Sequence, residues 1–201
     1  MLSHRITMKK LFVLGALALS SLLASAEKAD SLKEAVITAR TIDIDDVAKK
    51  RILTGEVVVT RGTLVLKADN AVITDTPEGY MLVTLTAAPG KLATFRQKSD
   101  GGPDLWTEGQ AQRIEYDERL DLVKFFATAR IKRLEGAKTT DDIQTEFISY
   151  DSRKEVFVGR NDASGADKVG GGRATMILAP HKPAAGTPAA STPATATPAA
   201  K

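Results

Sequence analysis

The 201-residue chain contains no cysteine. That absence excludes disulfides, thiolate chemistry and cysteine-ligated metals together. Histidine is nearly absent: His4 and His181 are the two copies, each near one end of the chain and outside the segment expected to fold. A Ser-His-Asp or Cys-His catalytic set, or a histidine-held zinc, is therefore excluded from that segment. Aromatic residues make up 5% of the chain, with a single tryptophan. Charge of one sign is also missing. The formal net charge is +3, and Arg5, Lys9 and Lys10 precede the first acidic residue, Glu27. The remainder is balanced and lacks the clustered Lys/Arg excess of a nucleic-acid-binding face, so no nucleic-acid partner is expected.

Long apolar runs are lacking too. Leu11 to Leu23 is a 13-residue stretch, shorter than the roughly 20 residues of a membrane-spanning helix. It follows Lys9-Lys10 and precedes Ala24-Ser25-Ala26, the order of a secretory signal peptide. Residues 1–26 are read as that signal, cut after Ala26, with Met8 as natural a start as Met1. Without cysteine there is no lipid-attachment site. At the other end, five of the eight prolines lie from Pro180 onward, among Ala and Thr. Residues 180–201 therefore read as an extended, disordered tail, and residues 27–179 as one domain.

That domain is written in short apolar or β-branched runs, each closed by a turn signal. Val57-Val58-Val59-Thr60 meets Arg61-Gly62, Leu64-Val65-Leu66 meets Asp69-Asn70, Val72-Ile73-Thr74 meets Pro77-Glu78-Gly79, and Val156-Phe157-Val158 meets Gly159-Arg160-Asn161-Asp162. Such signals every 8–12 residues predict an antiparallel all-β structure. An internal echo reinforces it: residues 109–117 (GQAQRIEYD) and 143–151 (IQTEFISYD) share Gln, Ile, Tyr and Asp at an offset of 34, as expected of a repeated hairpin unit.

The available chemistry is narrow. Asp43, Asp45 and Asp46, and Asp141 with Asp142, are the densest acid groups. Carboxylates could serve a secreted carbohydrate-active enzyme, but alternation with Ile42 and Ile44 reads as the solvated face of an amphipathic strand. No phosphate-binding glycine-lysine loop occurs, and Gly170-Gly171-Gly172 reads as a connection. The interior would be mostly Val, Ile, Leu and Ala. Side chains of that size can fill a closed core or leave a slot lined with methyl groups.

Several stretches together carry a resemblance: Leu53 to Gly62, Ala68 to Thr74, Gly90 to Gln97, Glu108 to Tyr116 and Arg173 to Pro180. In order and spacing they resemble the OstA-like family of periplasmic lipopolysaccharide-transport proteins over roughly residues 35–180. The resemblance implies an incompletely closed, twisted antiparallel β-jelly roll with an apolar interior groove. It also implies a non-enzymatic conduit without a cofactor. The expected partners are lipopolysaccharide, an LptC-like inner-membrane protein, an LptD-like outer-membrane protein, and further copies joined by edge-strand addition. A related envelope domain of the LptC or LptD type is the alternative. By the resemblance Ala35 and Ile37 match the groove-lining first strand, and Phe95 and Tyr116 match inward aromatics. Alternation adds Ile114, and the echo adds Ile148 and Tyr150. Parity alone adds Ile44, Val57, Val59, Leu64, Leu66 and Val72. The chain departs from the family pattern in its long tail and in a loop over Asp100 to Trp106.

Overall fold

Period-two alternation makes the strands of this chain, and where the alternation slips by one residue the strands bend instead of ending. The computed structural model describes Asp30, residues 32–102 and residues 104–180. The expected signal peptide and the tail beyond Pro180 lie outside the described residues. Twelve strands follow one another: β1 Ala35–Thr38, β2 Thr41–Asp45, β3 Lys50–Arg61, β4 Leu64–Asp75, β5 Met81–Thr86, β6 Ala93–Lys98, β7 Leu105–Ala111, β8 Arg113–Asp117, β9 Leu122–Glu135, β10 Lys138–Asp151, β11 Val156–Arg160 and β12 Thr175–Leu178. All pairings are antiparallel, within a single 12-stranded sheet.

This sheet is folded over on itself along a crease. The long strands β3, β4, β9 and β10 cross the crease and belong to both halves. One half-sheet runs β2, β3 (50–54), β4 (70–75), β5, β8, β9 (122–126), β10 (147–151), β11. The other runs β1, β3 (57–61), β4 (64–68), β6, β7, β9 (130–135), β10 (138–144), β12. Both halves turn their apolar faces inward, giving the twisted, open-ended jelly roll expected.

The crease has a local cause. Strand β3 carries an extra residue against β4 between Thr54 and Val57, and Gly55 and Glu56 there have φ of 80° and 52°. Strand β9 repeats the device at Ala127 and Thr128, with φ of 61° and 54°. An inserted residue with left-handed backbone bends a strand sharply. Backbone hydrogen bonds continue through the bend: Ala87 N–H donates to the Gln112 carbonyl at 3.0 Å, and Gln112 N–H to the Ala127 carbonyl at 3.1 Å. The internal echo is structural as well. In both copies the Asp caps the turn that follows: Asp117 accepts from Leu120 N–H at 3.0 Å and Asp151 from Lys154 N–H at 3.1 Å.

Candidate functional site

The site is the space between the two half-sheets. From the crease outward it begins with aliphatic side chains: Leu53, Ile73, Leu85 and Ile114 from one half, Val57, Val59 and Leu66 from the other, all buried. A file of aromatic rings then runs along the interior. Phe125 meets Phe95 edge-on at 5.8 Å, Phe95 meets Tyr150 at 6.3 Å, and Tyr150 stacks flat on Phe157 at 4.3 Å. Phe125 and Tyr150 stand on one half-sheet and Phe95 on the other, so the rings interdigitate across the interior. Gly109 makes this possible: a Cβ there would lie 2.3 Å from the Phe125 ring. In its middle strands the interior is filled.

Away from the crease, the inner faces become polar. Arg61, Gln97 and Thr107 stand along the free margin of one half-sheet, and the Tyr116 hydroxyl, Glu118 and Asp121 along the other. Ser99 and Thr107 hydroxyls bond each other at 2.9 Å while buried. Burial holds the Tyr116 phenol above its ordinary range, and the Asp121 carboxylate adds to that rise. The Arg61 guanidinium pairs with Glu118 across the gap. An amphiphile placed here would find apolar walls at the crease and hydrogen-bonding groups at the mouth.

The ends of the trough differ from its middle. At one end the inner face of β2 leaves Ile42 and Ile44 exposed, and at the other β12 leaves Met176 and Leu178 exposed. Near the second end two cavities open, of about 260 and 230 Å³. They share Arg133, Asp141 and Phe157, and one reaches Tyr150. The strands β1, β2, β11 and β12 each pair on one side within the chain.

The acid groups do not converge on a reaction centre. Asp141 faces inward and pairs with Arg133 at 2.6 Å, whereas Asp142 faces outward and pairs with Arg130. The Arg130 hydrogen bond holds Asp142 below the usual carboxylate range, the opposite of a poised general acid. Asp45 accepts from Val47 and Ala48 N–H groups at 3.0 and 2.8 Å, as a turn cap does. Among the described residues no three His, Asp or Glu side chains gather as a metal site would require.

Comparison with known proteins decides the family. The family model described as "LptA/(LptD N-terminal domain) LPS transport protein" matches residues 36–156, more than half of the chain. The chain belongs to this family. Among relatives of the LptA/LptD N-terminal family, the lipopolysaccharide export system protein LptA of Haemophilus influenzae is 26% identical over 176 residues, covering 88% of this chain and 94% of that protein. The LptA of Escherichia coli K12 is 30% identical over 127 residues, 63% of this chain and 60% of the relative. In three dimensions the chain is similar to LptH of Pseudomonas aeruginosa, described as the LptA-homologous periplasmic component of a lipopolysaccharide transport device. The TM-score is 0.65 at 21% identity, over 75% of this chain and 99% of that one.

For this LptA/LptD N-terminal family member, the groove positions expected from sequence fall into four groups. Val57, Val59, Leu64, Leu66, Phe95, Ile114, Tyr116, Ile148 and Tyr150 all face inward and are buried. Ala35 and Ile37 also face inward, paired with Arg61 and Val59, and are half-buried on the edge strand β1. Ile44 sits on the inner side, opposite Arg51, but at 61% exposure, beyond the cover of the other half-sheet. Val72 is a correction: it faces outward, between Ala71 and Ile73, which are buried. Leu64 and Leu66 face inward on even numbers and Ala71 and Ile73 on odd ones, because β4 slips by one residue at Asp69-Asn70. The parity carried from Leu66 to Val72 crosses that corner and inverts. Sequence reasoning also missed the polar margin of Arg61, Gln97, Thr107 and Glu118. Arg61 adjoins a turn, where charge carries no signal of facing inward.

Proposed function

We propose that this chain is a periplasmic lipopolysaccharide carrier that shields lipid A acyl chains between its half-sheets and joins partner jelly rolls at its two ends. The observation that supports this reading is the graded interior: apolar at the crease, polar at the mouth, and exposed again at both ends. Each buried methylene is worth about 0.8 kcal/mol, so baring one 14-carbon chain to water costs on the order of 10 kcal/mol. Crossing an aqueous compartment requires continuous cover, and a trough whose inner face continues to its ends supplies it when copies abut. Unpaired edge strands are a hazard in isolation. Here β1 with β2, and β11 with β12, would pair with further copies, with an LptC-like protein on the inner-membrane side and with an LptD-like protein on the outer-membrane side. The similarity spans 94% of the Haemophilus influenzae LptA, which favours a stand-alone carrier over one domain of a larger envelope protein. The leader over residues 1–26 fits export to the periplasm, and the reading needs no cofactor or catalytic residue.

Photocrosslinking tests the reading. A benzophenone amino acid at Ile37 or Phe95 is expected to capture lipopolysaccharide in cells, whereas one at Val72 or Lys67, on the outer face, is expected to capture none. Absence of adducts at both inward positions would overturn the assignment of the interior to lipid.

A further inference from the structure

If acyl chains travel inside this chain, as the preceding reading holds, the filled middle must open. Phe95, Phe125 and Leu66 leave no space between the half-sheets there. The polar groups that tie the two margins together are therefore decisive. Arg61 stands at the end of β3 on one half-sheet and pairs through Nη1 with Glu118 in the β8–β9 turn of the other. The side chains are only 13% and 11% exposed. Glu118 is fixed in turn by Met81 N–H, which donates to its second oxygen at 2.7 Å. The Arg61 Nε–H also donates to the Lys33 carbonyl at 2.9 Å, so the same guanidinium holds the segment that precedes β1.

That segment is anchored a second time. The Asp30 carboxylate, 4% exposed, accepts from Thr63 N–H at 2.7 Å, Thr63 Oγ1 at 2.6 Å and Gln97 Nε2 at 3.1 Å. Gly62, with φ of 59°, leaves room for it; a Cβ there would lie 2.0 Å from Asp30 Oδ1. The β3–β4 turn is thus clasped by Asp30 on its own side and by Glu118 across the mouth. These contacts differ in kind from the aromatic packing beneath them. Buried ion pairs and carboxylate hydrogen bonds can be exchanged for equivalent bonds to water or to an anionic group. A guanidinium and a set of N–H and O–H donors are the groups that phosphate oxygens take up.

We propose that the seam between the β3–β4 and β8–β9 turns is the port by which acyl chains pass between the half-sheets. Arg61 and Glu118 hold it shut, with Asp30 fixing the turn that carries Arg61, until a phosphorylated, multiply acylated amphiphile exchanges for the Arg61–Glu118 contact. The apolar chains then displace the Phe95–Phe125 contact, and the headgroup stays at the polar mouth.

The absence of cysteine makes the test direct. Arg61→Cys and Glu118→Cys are introduced together and bridged by a bis-methanethiosulfonate linker, and binding of fluorescent lipopolysaccharide is followed in time. Loading by the bridged protein is expected to be at least tenfold slower than by the same protein after reductant removes the bridge. The same linker between Lys67→Cys and Thr94→Cys on the outer face should have no effect. Glu118→Gln and Asp30→Asn, which keep shape and remove charge, are expected to load several-fold faster than the native chain, and they decide the matter alone if the double variant does not fold. Equal loading by bridged and released protein, or unchanged rates in both single variants, overturns the clasp while leaving the carrier reading in place. No loading by the native chain removes the carrier reading and the clasp with it.

Discussion

The middle of the trough and its ends are built from the same kind of residue but stand in opposite states. In the middle, Phe95, Phe125 and Leu66 are buried between two half-sheets. At the ends, Ile42, Ile44, Met176 and Leu178 continue the same inner faces into open solvent. Composition does not separate them; cover does. A strand in the middle has a neighbour on each side and the opposite half-sheet above it, while an end strand has one neighbour and little above it. The stability of the single chain should therefore reside in the middle, and the proposed pairing with further jelly rolls would fall at the ends.

The largest effect is expected at Phe125, which is fully buried and touches both Phe95 and the backbone at Gly109. Phe125→Ala removes the ring that spans the interior, and a loss of about 3–5 kcal/mol in urea unfolding is expected. A loss below 1 kcal/mol would show that the half-sheets are not held by this packing. Gly109→Ala should follow at about 1–3 kcal/mol, since the added methyl meets a ring that has nowhere to move. Pairing it with Phe125→Leu should recover part of the loss, because the two changes share one contact.

These two residues also show where the sequence was silent. The all-β class, the turns at Gly62, Gly79 and Asp117, and the inward faces of β8, of β3 from Val57 to Val59 and of β10 from Ile148 to Tyr150 were legible, because each of those stretches alternates and none crosses a bend. Strand β7 was not: its inner residues are Thr107, Gly109 and Ala111. It is small there because Phe125 is large, and that complementarity crosses 16 residues of sequence between Gly109 and Phe125. Asp69-Asn70 reads as a turn yet forms the corner of one continuous strand. The matching corner in β9, at Ala127-Thr128, has no glycine to announce its left-handed backbone. The groove assignments failed at Val72 for this reason, and the pairing of Arg61 with Glu118, 57 residues apart, had no local signature.

A smaller effect is expected from the outer face near the second end. Asp142 is bonded through both oxygens by Arg130 and held below the usual carboxylate range by those bonds. A carboxylate with a depressed folded pKa contributes stability that is present above its unfolded pKa of about 3.9 and is lost as pH falls through the folded value. Asp142→Asn should cost about 0.5–1 kcal/mol near neutral pH. The difference between native and variant should shrink in unfolding curves taken progressively below pH 4. A constant difference down to pH 2 would mean that the pair contributes through packing alone.

The least change in stability is expected at the ends, and there the comparison is sharpest. Ile44→Asp places a charge on an inner-face position that is 61% exposed, so the unfolding midpoint of the single chain should move by no more than about 0.5 kcal/mol. If β2 is a surface on which another jelly roll continues the trough, the same substitution puts an unpaired carboxylate where two apolar faces meet, at a cost of several kcal/mol. Concentration-dependent association, followed by sedimentation velocity, should then disappear. Val47→Asp supplies the contrast, since Val47 is more exposed still but lies in the turn between β2 and β3, off the inner face. Loss of association in both variants would point to net charge; persistence in both would leave the exposed isoleucines of β2 without the role that the carrier reading gives them.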